Sequence, residues 1–440
     1  MKLLRSIQYK NLFRFIGPAF LVSIGYMDPG NWSTDLAGGA NFGYKLIFVL
    51  VFSNIMAILL QNLATRIGVI KGKNLAEVTA AMYPAWMKYI LYGMAELSIM
   101  ATDIAEIIGT TIAFKLLFDI PIHVGLWITL IDTFIFFAIM KLGMRKIEII
   151  YIFILLILLA SFGYLIYLSK PAFLPILKGF IPQKLNFSEL YIALGIIGAT
   201  VMPHNLYLHS SLVQKRVENQ IIPKTGIKKI LKFYIIDNIV ALNMAFLINV
   251  SILILAACLF NNQLYHQVST LQEAHYLLNP LLGSVLAPIL FALALLISGQ
   301  SSTFTATLTG QVVMEGFLNL KIKPVYRRLF TRLLAIIPTF IVVGYFGENK
   351  VEDILVFSQV FLSIQLGLTM IPLIHSVSLK KYLEKWTIST LHSCIIWMIA
   401  IVLISLNISI IFNLIKGVFS VELLVGFGIF YIFVICYTLV

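Results

Sequence analysis

The sequence predicts an all-α protein that crosses a lipid bilayer many times. Of its 440 residues, 60% are hydrophobic and only 12% are charged, whereas soluble globular proteins carry roughly 45–50% apolar and about 25% charged residues. Apolar stretches of about 20 residues, the length that a helix needs to cross roughly 30 Å of hydrocarbon, recur along the whole chain. The three cysteines are scattered, so neither a disulfide framework nor a structural zinc site is indicated.

Twelve apolar segments are long enough to be predicted as membrane spans. The first is too long and too interrupted for a signal peptide, and no small-residue cleavage site follows it. The predicted spans lie near residues 14–40, 46–66, 88–114, 122–141, 147–168, 189–213, 230–261, 279–314, 328–346, 351–375, 387–411 and 418–439.

The basic residues predict the orientation of the chain. With the N-terminus in the cytoplasm, 25 of the 32 Lys and Arg residues fall on the cytoplasmic side and seven fall outside. This is the positive-inside bias of membrane proteins. It predicts a multi-pass protein of the plasma membrane with both termini in the cytoplasm. The net charge of +13 is therefore explained by topology and contact with anionic lipid, and no nucleic-acid partner is expected.

Two of the spans contain residues that break helices. Span 1 is interrupted by Asp28-Pro29-Gly30-Asn31 and span 6 by Met202-Pro203-His204-Asn205. Proline cannot donate a backbone hydrogen bond, and Gly30 permits an unwound backbone, so Pro29, Gly30 and Pro203 are predicted as the helix breaks. The freed carbonyl groups must face protein or a water-filled cavity, where they can coordinate a cation. A plain proline kink is the alternative for either break alone.

The spacing of the two breaks predicts internal symmetry. They are five spans apart, and five is odd, so the two halves would enter the membrane from opposite sides. Interrupted helices at matching positions of two inverted repeats indicate the central binding site of a transporter. We expect a single domain over residues 1–440. It contains one repeat at about 14–168, a second at about 189–375, and two appended helices at about 387–439.

The residues at the breaks suggest a metal site. Asp28, Asn31 and the carbonyl group of Ala199 offer oxygen ligands, and Met202 offers a thioether sulfur. Oxygen alone would suit Mg²⁺, Ca²⁺ or Mn²⁺, but hard cations gain little from sulfur. The set therefore favours Mn²⁺, Fe²⁺ and Cd²⁺. Adaptable core packing is the alternative role for Met202.

The paired tetrapeptides DPGN (Asp28–Asn31) and MPHN (Met202–Asn205) resemble the signature of the Nramp family of divalent transition-metal transporters. The resemblance implies a LeuT-type fold in which helices 1 and 6 are broken. It implies that Asp28, Asn31, Met202 and the Ala199 carbonyl group bind the metal ion. Gln359, in the sequence FSQVFLSIQ, would join this shell in some conformations.

Span 3 carries three acidic residues inside the predicted membrane. Glu96, Asp103 and Glu106 are spaced by seven and three, which places them on one helix face. Arg328 and Arg332 at one end of span 9 are candidate partners. Such a row can pass protons, or it can be a static ion-pair network between the two helices. The resemblance favours a proton exit route in which Asp28 is the first acceptor.

Two histidines follow the second break. His204 and His209 are five residues apart and have no intervening glutamate, so they do not form the zinc motif of a membrane metalloprotease. They are predicted either to form hydrogen bonds between helices or to relay protons. The resemblance favours His209 as the relay or gate.

The expected function is the proton-coupled import of Mn²⁺ or Fe²⁺, with Cd²⁺ also accepted, by alternating access. The metal ion is substrate and no cofactor is expected. No nucleotide-binding signature is present, so ATP is not expected as the driver. Dimerisation is not signalled, and a monomer is expected. A Mg²⁺-transporting relative and an amino-acid or other organic-solute transporter of the same fold remain as alternatives.

Overall fold

The computed structural model describes residues 15–218, 226–261, 268, 270–347, 350–415, 432, 434–435 and 438. All regular elements in this part of the chain are helices. The first half contains α1 Pro18–Ser23, α2 Pro29–Phe42, α3 Ile47–Lys71, α4 Leu75–Met82, α5 Ala85–Phe118, α6 Ile122–Ile128, α7 Asp132–Met140, α8 Met144–Ser169 and α9 Phe173–Gly179. The second half contains α10 Phe187–Val201, α11 Pro203–Glu218, α12 Ile227–Phe260, α13 Leu271–Leu282, α14 Leu286–Leu318, α15 Pro324–Phe346, α16 Val351–Ser378, α17 Lys380–Leu383 and α18 Thr390–Ile415.

Three of these helices begin at a capping box that is visible in the sequence. At each, the side chain of the N-cap residue accepts from the backbone of a glutamate three residues on, and the glutamate accepts from the backbone of the cap. This exchange satisfies two N–H groups that a helix start otherwise leaves unbonded. The pairs are Asn74 with Glu77, Asn186 with Glu189 and Thr270 with Glu273.

Nine helical segments within the described residues are long and apolar enough to cross a membrane. They confirm spans 2, 3, 5, 7, 9, 10 and 11 as helices and include most of spans 6 and 8. The predicted span 12, residues 418–439, lies almost entirely outside the described residues.

Two predicted spans have different boundaries in the structure. Span 4 is divided into α6 and α7, because the chain tightens between them and the N–H of Ile131 bonds to the carbonyl group of Ile128 rather than to a residue four positions back. Span 8 begins at Leu286, seven residues later than predicted. The preceding apolar residues belong to α13, which ends at Gly283 in a left-handed conformation that glycine adopts without strain.

The interrupted segments lie at the centre of the bundle. Helix α2 packs against α12, α10 and α16, and α10 packs in turn against α16 and α3. In the α10–α11 segment, 89% of the most apolar stretch is buried, against 28% in α8 and in α18. The break between α10 and α11 is thus enclosed by protein, while α8 and α18 lie at the periphery. This distribution is the one that a bilayer requires of non-helical backbone.

Candidate functional site

Asp28 interrupts the first spanning segment. Its backbone is extended (φ −64°, ψ 164°) between a 3₁₀ turn, Ile24–Met27, and helix α2. Its Oδ1 accepts a hydrogen bond of 2.8 Å from the backbone N–H of Asn31, so Asp28 is the N-cap of α2. Pro29 occupies the first helical position, where a missing N–H breaks no helical bond. The prediction that Gly30 is part of an unwound segment is wrong, because Gly30 lies inside α2.

The carbonyl groups before the first break bond to protein. The indole N–H of Trp32 donates to the carbonyl oxygen of Met27 at 3.1 Å, and the hydroxyl of Ser298 donates to the same oxygen. The side-chain amide of Asn249 donates to the carbonyl oxygen of Tyr26 at 2.9 Å. Buried carbonyl groups that lose their helical donor are normally satisfied in this way. Side chains from α12 and α14 therefore satisfy the backbone carbonyl groups before the first break.

Met202 interrupts the second segment. It is the single non-helical residue between α10 and α11, and its φ of 38° is rarely adopted by a residue with a side chain. Pro203 begins α11 and has no N–H to donate to the carbonyl group of Ala199, four residues earlier. Such backbone strain is concentrated at functional sites in proteins. Both breaks thus lie one residue before a proline.

Gln359 on α16 contacts the first break and packs against α10 one turn before the second. Its side-chain Nε2 donates to Oδ2 of Asp28 at 3.4 Å. A Cβ placed at Gly30 would lie 1.7 Å from this Nε2, and a Cβ at Gly198 would lie 2.0 Å from the backbone oxygen of Gln359. The two glycines therefore allow α16 to approach the start of α2 and the end of α10. Gln359 thus lies beside Asp28, and its place in a metal shell stays a prediction.

The candidate ligands are closed off from solvent. Asp28, Met202 and Gln359 are fully buried, and Asn31 is 1% exposed. Within the described residues, Oδ1 of Asn31 and Oε1 of Gln359 have no hydrogen-bond partner. Because buried polar atoms are normally hydrogen-bonded, these two oxygens, on residues that contact Asp28, are available to a further donor or to a cation. No cluster of three His, Cys, Asp or Glu suited to a metal occurs in the described chain.

Two buried carboxylates form hydrogen bonds with the broken helices at points remote from the breaks. The hydroxyl of Ser33 and the backbone N–H of Leu271 both donate to the buried carboxylate of Glu352 at 2.7 Å, which joins α2, α13 and α16. At the start of α1, the backbone N–H of Gly17 donates to Asp237 on α12 at 3.1 Å. Neither Glu352 nor Asp237 was predicted as part of the site, because their partners are distant in sequence.

The three acidic residues of α5 face α14 and α15. Asp103 forms a buried ion pair with Arg328 at 2.5 Å. Glu96 pairs with Arg327, a partner that the sequence prediction missed, through two contacts of 2.7 and 2.8 Å. Oε2 of Glu106 accepts from the hydroxyl of Thr303 at 2.9 Å, whereas its Oε1 has no partner in the described chain. Arg332, one turn beyond Arg328, is also fully buried.

The two histidines of α11 have different surroundings. Nδ1 of His209 bonds to Oε1 of Gln61 on α3, and Nε2 of Gln61 donates to the hydroxyl of Tyr26. His204 is buried, and its Nδ1 has no partner within the described residues. His209 is thus linked through Gln61 to the turn before the first break. Gln61 and Tyr26 were not identified from the sequence, because nothing in their spacing indicates this contact.

Comparisons with known proteins find relatives that match most of the chain. A family model described as natural resistance-associated macrophage protein-like (Nramp) matches residues 19–413. The divalent metal cation transporter MntH of Listeria monocytogenes is 47% identical over 407 residues, which cover 92% of this chain and 90% of that protein.

Solved structures show the same fold. The manganese transporter of Eremococcus coleocola superposes with a TM-score of 0.86 at 34% identity, over 98% of this chain and 93% of that one. Mhp1, a nucleobase-cation-symport-1 family transporter, superposes with a TM-score of 0.59 at 13% identity, over 96% and 92% of the two chains. The second likeness concerns the fold alone. The predicted all-α, polytopic, LeuT-type architecture is confirmed.

Proposed function

The chain belongs to the Nramp family, and from that premise we propose that it imports Mn²⁺ and Fe²⁺, and also accepts Cd²⁺, together with protons. It is a multi-pass membrane transporter of divalent metal cations rather than an enzyme, and the metal ion is its substrate. The observation that carries the proposal is the position of Gln359, whose side chain contacts the carboxylate of Asp28 at the first break and whose backbone packs against Gly198, one turn before the thioether of Met202 at the second.

The proposed metal ligands are Asp28, Asn31, the carbonyl group of Ala199, Met202 and Gln359. The unpartnered oxygens of Asn31 and Gln359 support this assignment, because a cation would satisfy them. The sulfur of Met202 supports transition metals over Mg²⁺ and Ca²⁺, since thioethers suit softer cations.

Protons would leave Asp28 and follow the acidic residues of α5. Metal binding and deprotonation are coupled, because a carboxylate must lose its proton to ligate. Glu106, whose carboxylate accepts from the hydroxyl of Thr303, is the proposed acceptor on α5. Asp103 and Glu96 would continue the route beside Arg328, Arg327 and Arg332. A purely structural ion-pair network is the competing interpretation.

Alternating access would arise from movement of the two half-helix pairs about their breaks. We place inverted repeats at about 14–168 and 189–375 and appended helices at about 387–439, within one domain. The excess of Lys and Arg on one side supports a plasma-membrane location with both termini in the cytoplasm. The protein would act as a monomer.

Two alternatives of the same fold are less well supported. A Mg²⁺ transporter would gain little from a buried thioether at its centre. A transporter of amino acids would present bare backbone and small residues at the breaks rather than Asp28, Asn31 and Met202.

Reconstituted proteoliposomes test the proposal. Mn²⁺ is added outside, a pH-sensitive dye is enclosed, and Mg²⁺ or Ca²⁺ is supplied in excess. Saturable Mn²⁺ entry with acidification of the lumen supports the proposal, whereas entry blocked by Mg²⁺ contradicts the selectivity. Entry without proton movement contradicts the coupling.

An Asp28→Ala variant should abolish uptake in the same assay. The matched control is Asp353→Ala, because Asp353 is an exposed acid that forms a surface ion pair with the exposed Lys350. Near-normal transport by the Asp28 variant would overturn the site assignment.

A further inference from the structure

Asn205 forms two bonds to the residue at the second helix break. Its side-chain Nδ2 donates to the sulfur of Met202 at 3.3 Å, and its backbone N–H donates to the carbonyl oxygen of Met202 at 3.1 Å. Asn205 is the third residue of α11, and Met202 immediately precedes that helix. As in a capping box, a third-position side chain reaches back to the residue before the helix, but here that side chain donates its hydrogen bond and a thioether accepts it.

The carboxamide of Asn205 is held between the two broken segments. A Cβ at Gly25, in the 3₁₀ turn before the first break, would lie 2.6 Å from its Nδ2 and 3.3 Å from its Oδ1. The side chain is fully buried, and its Oδ1 has no hydrogen-bond partner within the described residues. Gly25 therefore makes room for the amide, and rotation of the amide is restricted by the turn against which it lies.

Methionine has three rotatable side-chain bonds, so its sulfur does not hold one position without a partner. A hydrogen bond from Asn205 occupies one side of the sulfur and leaves a lone pair for a metal ion. Groups that orient a ligand in this way commonly change metal affinity without touching the metal.

We propose that Asn205 is a positioning residue that orients the Met202 sulfur toward the cation and thereby sets the preference for soft metal ions. This inference rests on the proposed metal site. It adds a residue that acts through Met202 rather than as a ligand.

The test is equilibrium binding of Cd²⁺ and Mn²⁺, measured by titration calorimetry on the purified full-length protein. Asn205→Leu keeps the branched shape of the side chain and removes the donor. We expect Cd²⁺ affinity to fall about tenfold, a typical effect of losing a partner that orients a ligand. Mn²⁺ affinity should fall much less, because the sulfur contributes less to it.

A double-mutant cycle separates orientation of the sulfur from a general structural effect. In a Met202→Ala background, Asn205→Leu should no longer change the ratio of Cd²⁺ to Mn²⁺ affinity, since no sulfur remains to be oriented. Asn407→Leu is the control, because Asn407 is a buried amide that bonds to Ser363 and not to the site.

The outcomes distinguish this inference from the proposed function. Failure of the unmodified protein to bind either metal would refute the proposed function. The inference alone would be refuted if the unmodified protein binds both metals, Met202→Ala loses Cd²⁺ affinity, and Asn205→Leu leaves the ratio of Cd²⁺ to Mn²⁺ affinity unchanged. It would also be refuted if Asn205→Leu changes the ratio of Cd²⁺ to Mn²⁺ affinity equally in the unmodified protein and in Met202→Ala.

A spectroscopic measurement covers the case in which Asn205→Leu does not fold. Cadmium X-ray absorption spectra of selenomethionine-labelled protein report the Cd–Se contact directly. Asn205→Ala should weaken or disorder that contact while Cd²⁺ remains bound. An unchanged contact in this variant would contradict the proposed role.

Discussion

Gly30 and Gln359 are in such close contact that a methyl group on Gly30 would overlap the side-chain amide of Gln359. A Cβ at this position would lie 1.7 Å from Nε2, 2.5 Å from Cδ and 2.9 Å from Cγ of Gln359. The glycine of the first tetrapeptide is therefore used for a close approach between α2 and α16, and not for an unusual backbone angle.

Gly30→Ala should displace Gln359 from Asp28 while leaving the fold intact, because the obstructed atoms belong to a flexible side chain. We expect Mn²⁺ affinity to fall by roughly tenfold, as for loss of a group that supports a metal site. Calorimetric titration measures the change. Gly163→Ala is the control, because a Cβ at Gly163 meets nothing within 4 Å. Equal affinities in the two variants would contradict the role of this contact.

Met202→Ala should relax selectivity. Without the thioether, the remaining oxygen ligands suit hard cations, so Mg²⁺ or Ca²⁺ should compete with Mn²⁺ uptake. Cd²⁺ affinity should fall by roughly tenfold or more, and Mn²⁺ transport should persist in part. Competition assays in proteoliposomes measure both effects. If the variant still excludes Mg²⁺, the sulfur of Met202 does not determine the selectivity against hard cations.

Glu106→Gln should slow proton flux more than metal binding. Glutamine can still accept from Thr303, so the hydrogen bond of 2.9 Å is preserved while the titratable group is lost. Proton flux is expected to fall by about a hundredfold or more, the lower end of the usual contribution of a positioned proton-transfer group. The enclosed pH dye and metal uptake are recorded together. Unaltered proton flux would favour the static network.

Gly310 lies on α14, and Gly310→Ala should disrupt the ion pair that Arg327 of α15 forms with Glu96 of α5. A Cβ at Gly310 would lie 1.8 Å from Nη1 of Arg327, so the guanidinium must leave its present position. We expect the same change in proton flux as in Glu96→Gln, and little further change when both substitutions are combined. Gly344→Ala is the control, since a Cβ there meets nothing within 4 Å. Additive effects would show that Gly310 acts elsewhere.

The broad architecture could be predicted because its causes are local. A helix inside hydrocarbon satisfies its own backbone, so each apolar stretch of sufficient length predicts a span. The prediction fails where a short-range departure is hidden inside an apolar run. The turn at Ile131 and the end of α13 at Gly283 are two such cases. Neither changes the hydrophobicity of its segment enough to be visible.

The candidate site was only partly predictable. Asp28, Asn31 and Met202 stand out because polar and helix-breaking residues are rare inside apolar spans. Gln359 was assigned by resemblance, and its contact with Asp28 is a property of the structure. Arg327 was missed as the partner of Glu96, because three basic residues lie near the start of α15 and spacing alone does not select among them.

The sequence by itself determined that this chain is a membrane-embedded helical bundle with two interrupted helices, because hydrocarbon length and the missing N–H of proline act within a single segment. Tertiary structure alone decided which side chains meet at the interruptions. Gly30 and Gly198 allow α16 to approach α2 and α10 closely, although these helices are distant in the chain. Contacts such as Asn205 with the Met202 sulfur form only once the backbone at the break has its folded geometry.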